Sequence, residues 1–157
     1  MQEAARRFFA TPSFAVVGAS QDASKFGYRI LAWYHVHGLP VTPINPGRPS
    51  IKVPSKSYPT VASVRDLPKP AETALSFLTP PAATKKVLEE VKQAGVKAVW
   101  LQPGSFDDYI LKWAQSNFES AIGGYDDGTV GGEGWCVLVD GENALDAANR
   151  EWRRQKL

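Results

Sequence analysis

Cysteine is nearly absent: Cys136 is the only one in 157 residues. No intramolecular disulfide can form and no cysteine-based zinc site is suggested, so a reducing compartment fits and cytoplasm is the expected location. Long apolar runs are missing as well. None approaches the ~20 residues that a membrane span needs. The N-terminal residues 1–9 carry Arg6 and Arg7, but Thr11-Pro12-Ser13 breaks the pattern and no leader-like apolar region develops. An excess of one charge is also lacking. The formal net charge is +2 and the basic residues are scattered, apart from the Lys85-Lys86 and Arg153-Arg154 pairs. Nucleic acid calls for a concentrated basic face, so neither nucleic acid nor membrane is an expected partner. Histidine occurs twice, at His35 and His37. Two residues apart on one expected helix, these side chains point in different directions and read as packing or surface groups.

The residues that are present have a regular order. Phe14-Ala15-Val16-Val17 is a short apolar run ending in Gly18, the pattern of a buried parallel strand entering a loop. Residues 27–37 come next with helical spacing, Ile30, Leu31 and Tyr34 (with His37) on one face, and Gly38 as a stop. Val41 to Pro46 reads as a second strand, ended by its prolines and Gly47. Ile51-Lys52-Val53 and Tyr58 to Val61 are short extended pieces, with a helical turn near residues 63–67. Ala74 to Leu78 is another buried strand, residues 82–94 a helix, and Ala98 to Gln102 a further strand. Residues 107–118 form a helix that Asp107 or Ser105 can cap. Residues 123–134 hold six of the thirteen glycines and read as a flexible loop. Cys136 to Val139 is expected as a last strand and residues 142–154 as a last helix. Strands alternating with helices imply a Rossmann-like, doubly wound, mainly parallel sheet in a three-layer α/β/α domain. One domain spanning residues 1–157 is expected, with residues 1–12 an extension whose Phe8 and Phe9 pack onto the body.

Ligands in such sheets bind beyond the carboxyl ends of the strands. Those ends read Gly18-Ala19-Ser20, Asn45-Pro46-Gly47, Thr79-Pro80-Pro81 and Gln102-Pro103-Gly104. Each loop alone is explained by the needs of turns; four on one edge describe a crevice for an extended ligand. In the first loop, Gly18 lets backbone approach a ligand, and the next helix aims its N–H groups there. Ser20 and Ser24 add hydroxyls. Lys25 at a helix start is unfavourable unless an anion stands nearby, which argues for a bound phosphate. The loop is neither a Walker A nor the glycine triple of a dinucleotide fold. NAD sites place Asp or Glu after the second strand; here Asn45, Pro46, Gly47 and Arg48 stand instead. That end suits a phosphorylated ribose, the 3′-phosphate of coenzyme A and the 2′-phosphate of NADP equally, while Arg48 is also read as a solvated loop residue.

Val16-Val17-Gly18-Ala19-Ser20, Lys25-Phe26-Gly27-Tyr28, Pro43-Ile44-Asn45-Pro46 and Val99 to Gly104, in that order, resemble the stand-alone CoA-binding domain family. That family is similar to the N-terminal domain of the succinyl-CoA synthetase α subunit. The resemblance implies that Gly18, Ala19 and Ser20 line the ligand and that Lys25, Phe26, Gly27 and Tyr28 cover its phosphates. It implies Asn45, Pro46 and Arg48 at the adenosine end, and Leu78, Thr79 and Pro80 beside the adenine or pantetheine. Gln102 and Gly104 complete the candidate edge. The glycine-rich residues 123–134 depart from the compact family pattern. Coenzyme A or an acyl-CoA is the ligand implied, held without catalysis. An NADP-dependent oxidoreductase stays open, although no Tyr-x-x-x-Lys pair is present, as does a homodimer or a subunit of a larger enzyme. Cys136 reads as a small core residue, with a CoA-linked thiol as the sharper alternative. The Asp107-Asp108 and Asp126-Asp127 pairs read as capping and solvated carboxylates.

Overall fold

Strands that are apolar on both faces need a layer of helices on each side. The computed structural model describes residues 1–125 and 128–157, so the Asp126-Asp127 pair lies outside the described residues. In chain order the elements are α1 (Gln2–Phe9), β1 (Ser13–Val17), α2 (Phe26–Val36), β2 (Val41–Ile44), β3 (Ser50–Val53), β4 (Lys56–Pro59), β5 (Thr73–Phe77), α3 (Pro81–Gln93), β6 (Ala98–Leu101), α4 (Asp108–Asn117), β7 (Ser120–Ile122) and α5 (Val137–Ala147). Five strands pair in parallel in the order β2-β1-β5-β6-β7, while β3 and β4 form a separate antiparallel hairpin. The protein is a Rossmann-like α/β fold. No helix of the described residues is long and apolar enough to cross a membrane.

Alternate residues of each strand serve opposite layers, as the strand period requires. Phe14, Val16, Ala74, Ala98, Trp100 and Ile122 pack with α1, α2 and α5. Ala15, Val17, Leu75, Phe77, Val99 and Leu101 pack with α3 and α4. On the first side α1 contributes Phe8 and Phe9, both fully buried. The Phe8 ring meets Trp100 edge-on at 5.5 Å and Phe9 lies 5.4 Å from Phe14. Trp100 Nε1 donates to the Trp135 carbonyl at 3.2 Å, linking the sheet centre to the segment before α5. Helix ends obey local chemistry: Asp107 caps α4 by accepting from Ile110 N at 2.8 Å, and Pro81 supplies a first residue whose missing N–H costs nothing.

Two expectations are corrected. The residues Cys136 to Val139 are not a strand; Cys136 is the N-cap of α5 and Val137 to Val139 its first turn. Val137 and Leu145 face the core while Val139 is exposed, a helical stripe that four apolar residues in a row conceal. The fifth strand is β7, three residues long. The last helix therefore starts earlier than expected and stops at Ala147, with Asn149 in the left-handed region at φ 51°. The tail beyond runs back irregularly, Gln155 N donating to the Val36 carbonyl and Ser55 N to the Leu157 carbonyl, each at 2.7 Å.

Truncating Phe8 to alanine removes the ring that joins α1 to Trp100. The expected cost is about 3–5 kcal/mol, a fall in thermal midpoint on the order of 10 °C for a domain of this length. Calorimetry showing less than ~1 kcal/mol would mean that α1 lies outside the cooperative core.

Candidate functional site

The strand order reverses at β1: β2 lies on one side and β5 on the other. The crevice of a doubly wound sheet opens above the carboxyl ends at that point. Two glycines shape it. Gly18, just after β1, has φ +89°, and a Cβ there would stand 3.2 Å from the Leu78 carbonyl carbon and Thr79 N. Gly27 sits in the first turn of α2, where any Cβ would collide with the Gly18 carbonyl oxygen. The helix therefore rests directly on the end of β1, which brings its N-terminus to the crevice. Lys25 is its N-cap, with extended backbone and no capping side chain.

The residues named from sequence stand in several places. Ala19, Ser20, Ser24 and Asn45 build the loop wall. Asn45 Nδ2 donates to the Ala19 carbonyl at 2.9 Å, and its Oδ1 accepts from Gly47 N at 2.7 Å, so both ends of this amide hold loops. Ser20 Oγ accepts from Asp22 N at 3.0 Å, leaving its own proton free, whereas Ser24 spends N and Oγ on Asp22 Oδ1. These Ser24 hydrogen bonds, with Lys25 nearby, hold the Asp22 carboxyl below its usual range. A carboxylate thus already stands near Lys25, and the lysine alone does not call for a phosphate. Phe26, Leu78 and Gln102 come together on a cavity. Thr79 sits beside Gly18 but gives its hydroxyl to Thr84, 2.7 Å away. Tyr28 packs toward Val53 and Tyr58 of the hairpin. Pro46, Arg48, Pro80 and Gly104 are exposed, Arg48 Nε donating to Ser50 O at 3.3 Å. Sequence reasoning missed Gln21, whose amide exchanges two hydrogen bonds with the Lys52 backbone, 2.9 and 2.8 Å, and ties the hairpin to the first loop.

The cavity measures about 270 Å³. α2 supplies Phe26, Arg29 and Ile30; the ends of β5 and β6 supply Leu78 and Gln102. Its far wall is residues 131–134 together with Cys136 and with Leu138 and Val139 of α5. The segment from Thr129 to Cys136 is fastened. Asp140, 2% exposed, accepts from Thr129 Oγ1, Val130 N and Cys136 N at 2.9, 2.9 and 3.0 Å. The apolar run 137–139 hid this half of the cavity, because reading it as a strand pointed Cys136 into the core. Cys136 is instead half-buried on the wall.

Gln102 is 1% exposed. Its Oε1 accepts from Val137 N at 3.0 Å, satisfying an N–H at the start of α5. That bond fixes which end of the amide is oxygen. Nε2, the other end, is buried without a partner. Leaving such a donor unmade costs about 1–3 kcal/mol, the mark of a group that waits for an acceptor. The cavity is largely apolar, with Gln102 Nε2 as a buried donor and with Arg29 and Glu133 also on its lining.

Burial pushes the Cys136 thiol up, against the pull of the Leu138 and Val139 amides, and the nearby Asp140 and Glu133 charges add to the rise. The folded protein favours the neutral thiol. Its contribution to stability is full below the ordinary thiol range and is lost as pH climbs through the raised value. Alkylation by iodoacetamide should therefore stay slower than that of a free cysteine through pH ~8.5 and accelerate only above it. Rapid labelling at neutral pH would contradict that environment.

The family model described as CoA binding domain matches residues 12–125. Among solved structures, a conserved hypothetical protein from Pyrococcus furiosus is 32% identical, with 69% of this chain and 90% of that one covered at a TM-score of 0.62. A Thermus thermophilus protein is 25% identical over 78% of this chain and 90% of its own, TM-score 0.65. A hypothetical protein from Pyrococcus horikoshii, 22% identical, shares the fold over 78% of this chain and 83% of its own, TM-score 0.67. No curated protein matches. The matched span holds every strand of the sheet and both glycines of the β1–α2 junction, and the chain belongs to the CoA binding domain family.

Proposed function

We propose that the chain binds coenzyme A or an acyl-CoA in this crevice and holds or presents it without turning it over. The observation that carries the reading is the Gly18–Gly27 approach, which turns the start of α2 to the crevice beside an apolar cavity. A pyrophosphate at that helix start is favoured by the N–H groups and the dipole. The cavity, walled by Ile30, Leu78 and Leu138, suits the pantetheine arm better than a charged nicotinamide. The absence of a carboxylate after β2 agrees with a phosphorylated ribose.

Binding without chemistry is supported by where the usual proton-transfer groups stand. His35 meets Tyr58 OH at 2.7 Å and the Lys156 carbonyl at 2.8 Å; His37 meets the Trp33 carbonyl at 2.6 Å and Glu142 Oε1 at 2.9 Å. Both imidazoles are buried in these contacts, and neither lines the cavity. Cys136, which does line it, is held as the neutral thiol, a poor nucleophile.

Thermal unfolding with CoA, acetyl-CoA, NAD, NADP and ADP tests the reading. A ligand at 100 times its dissociation constant adds about 2.7 kcal/mol, or roughly 5–11 °C for a domain of this size. CoA or its thioester should shift the midpoint where NAD and NADP do not; a shift with NADP alone would replace the proposal by an oxidoreductase. Lys25→Ala should weaken CoA by about 1–3 kcal/mol through loss of a charge-assisted bond to phosphate. Unchanged affinity would leave Lys25 as a partner of Asp22 alone.

A further inference from the structure

We infer that the cavity between α2, the β5 and β6 ends and α5 is a pocket for a short acyl group, with the Gln102 carboxamide donating to the thioester carbonyl. The inference rests on the coenzyme reading and goes beyond it by naming the form of the coenzyme preferred. Its starting point is Gln102 Nε2, unpartnered and fully buried at a cavity that a ligand can enter. Val137 N holds the oxygen end, so the amide cannot turn to hide its nitrogen. Apart from Gln102, the polar side chains on the cavity are Arg29, Glu133 and the Cys136 thiol.

The walls decide the kind of acceptor. Ile30, Leu78, Leu138 and Val139 make most of the lining hydrocarbon, the Cys136 thiol beside them is neutral, and Arg29 and Glu133 are the lining's charged members. An amide carbonyl of the pantetheine arm would bring its own N–H, which needs a further acceptor when buried. A thioester carbonyl accepts and donates nothing. Its alkyl chain can cover the apolar wall that a bare thiol would leave uncovered. Size sets the upper limit. At about 30 Å³ for a water-sized group, the 270 Å³ has room for roughly nine such groups, enough for the thiol end of the arm and an acyl chain of a few carbons. A long fatty acyl chain exceeds that volume and would have to leave the cavity.

The far half of this pocket is peculiar to the later part of the chain. The glycine loop from Gly131 on, Cys136, Leu138 and Val139 all lie beyond the residues 12–125 matched by the family model. Asp140 fastens the segment from Thr129 to Cys136, which carries residues 131–134 of the wall, with three hydrogen bonds.

The test is calorimetric titration of the full chain with CoA, butyryl-CoA, palmitoyl-CoA and S-butyl-CoA, a thioether that keeps the alkyl chain and lacks the carbonyl. Butyryl-CoA should bind at least about fivefold tighter than both CoA and S-butyl-CoA, the size of one neutral hydrogen bond, and palmitoyl-CoA should show no such advantage. In Gln102→Glu, which keeps an acceptor for Val137 N, the advantage of butyryl-CoA over S-butyl-CoA should fall to within about twofold. Equal binding of butyryl-CoA and S-butyl-CoA by the unaltered protein would overturn the carbonyl contact, and CoA binding as tightly as butyryl-CoA would overturn the acyl pocket; both leave the coenzyme reading standing. If neither CoA nor its thioesters bind, the coenzyme reading itself fails and the inference with it.

Discussion

The site depends on one close approach, that of α2 onto the end of β1. Gly27 has no side chain because the Gly18 carbonyl occupies the place where a Cβ would be, and Gly18 has none because its backbone turns at φ +89° against Leu78 and Thr79. Neither glycine makes a contact that could be counted as binding. Together they set how far the helix start lies from the crevice, and so whether its N–H groups reach a ligand at all. Asn45 acts on the same junction from the other side, spending both ends of its amide on the first and second loops. Asn45, expected beside the ligand, also braces the first loop against the second.

A second coupling joins this junction to the C-terminal helix. Gln102, at the end of β6, caps Val137 N with its oxygen, and Asp140, one turn further along α5, gathers the Thr129–Cys136 segment. Sheet edge, helix start and glycine loop are thus held by two polar side chains, each buried. Burying Asp140 would be costly without its three donors; with them the carboxylate gives a glycine-rich stretch a fixed path. Glycine content alone says that a segment can bend, not that it does.

Most of the sheet was legible because its strands obey two rules at once: apolar residues of alternating face, and glycine or proline at the exit. β1, β5 and β6 announce themselves in this way, and so do α2, α3 and α4 through their spacing. β7 escaped because Ser120, Ala121 and Ile122 are too few for a period. α5 escaped because Val137, Leu138 and Val139 are consecutive, so a strand and a helix predict the same letters; only the burial of Val137 against the exposure of Val139 separates them. That one ambiguity carried the site with it. Read as a strand residue, Cys136 belongs in the core; as the N-cap of a helix, it stands on the cavity wall. The glycine junction under the crevice was readable from Gly18 and Gly27, whereas the apolar cavity needed the fold, since Ile30, Gln102 and Leu138 are far apart in sequence and converge only through the sheet order.

The two ends make different demands, and this separation favours an extended ligand over a compact one. A helix start recognises charge and loses most of its advantage where water screens it. The cavity recognises shape and one acceptor, and works only where water is excluded. A nucleotide alone would satisfy the first and leave Gln102 Nε2 unpaired. An acyl group alone would have nothing to hold it at the helix. The proposed ligand, with phosphate at one end and a carbonyl on an apolar arm at the other, would meet both, and the spacing of neighbouring parallel strands, about 4.8 Å each, sets the two demands apart along the edge from β1 to β6. Rigid ends suit such a ligand, and His35 and His37 lock α2 to the hairpin, the tail and α5.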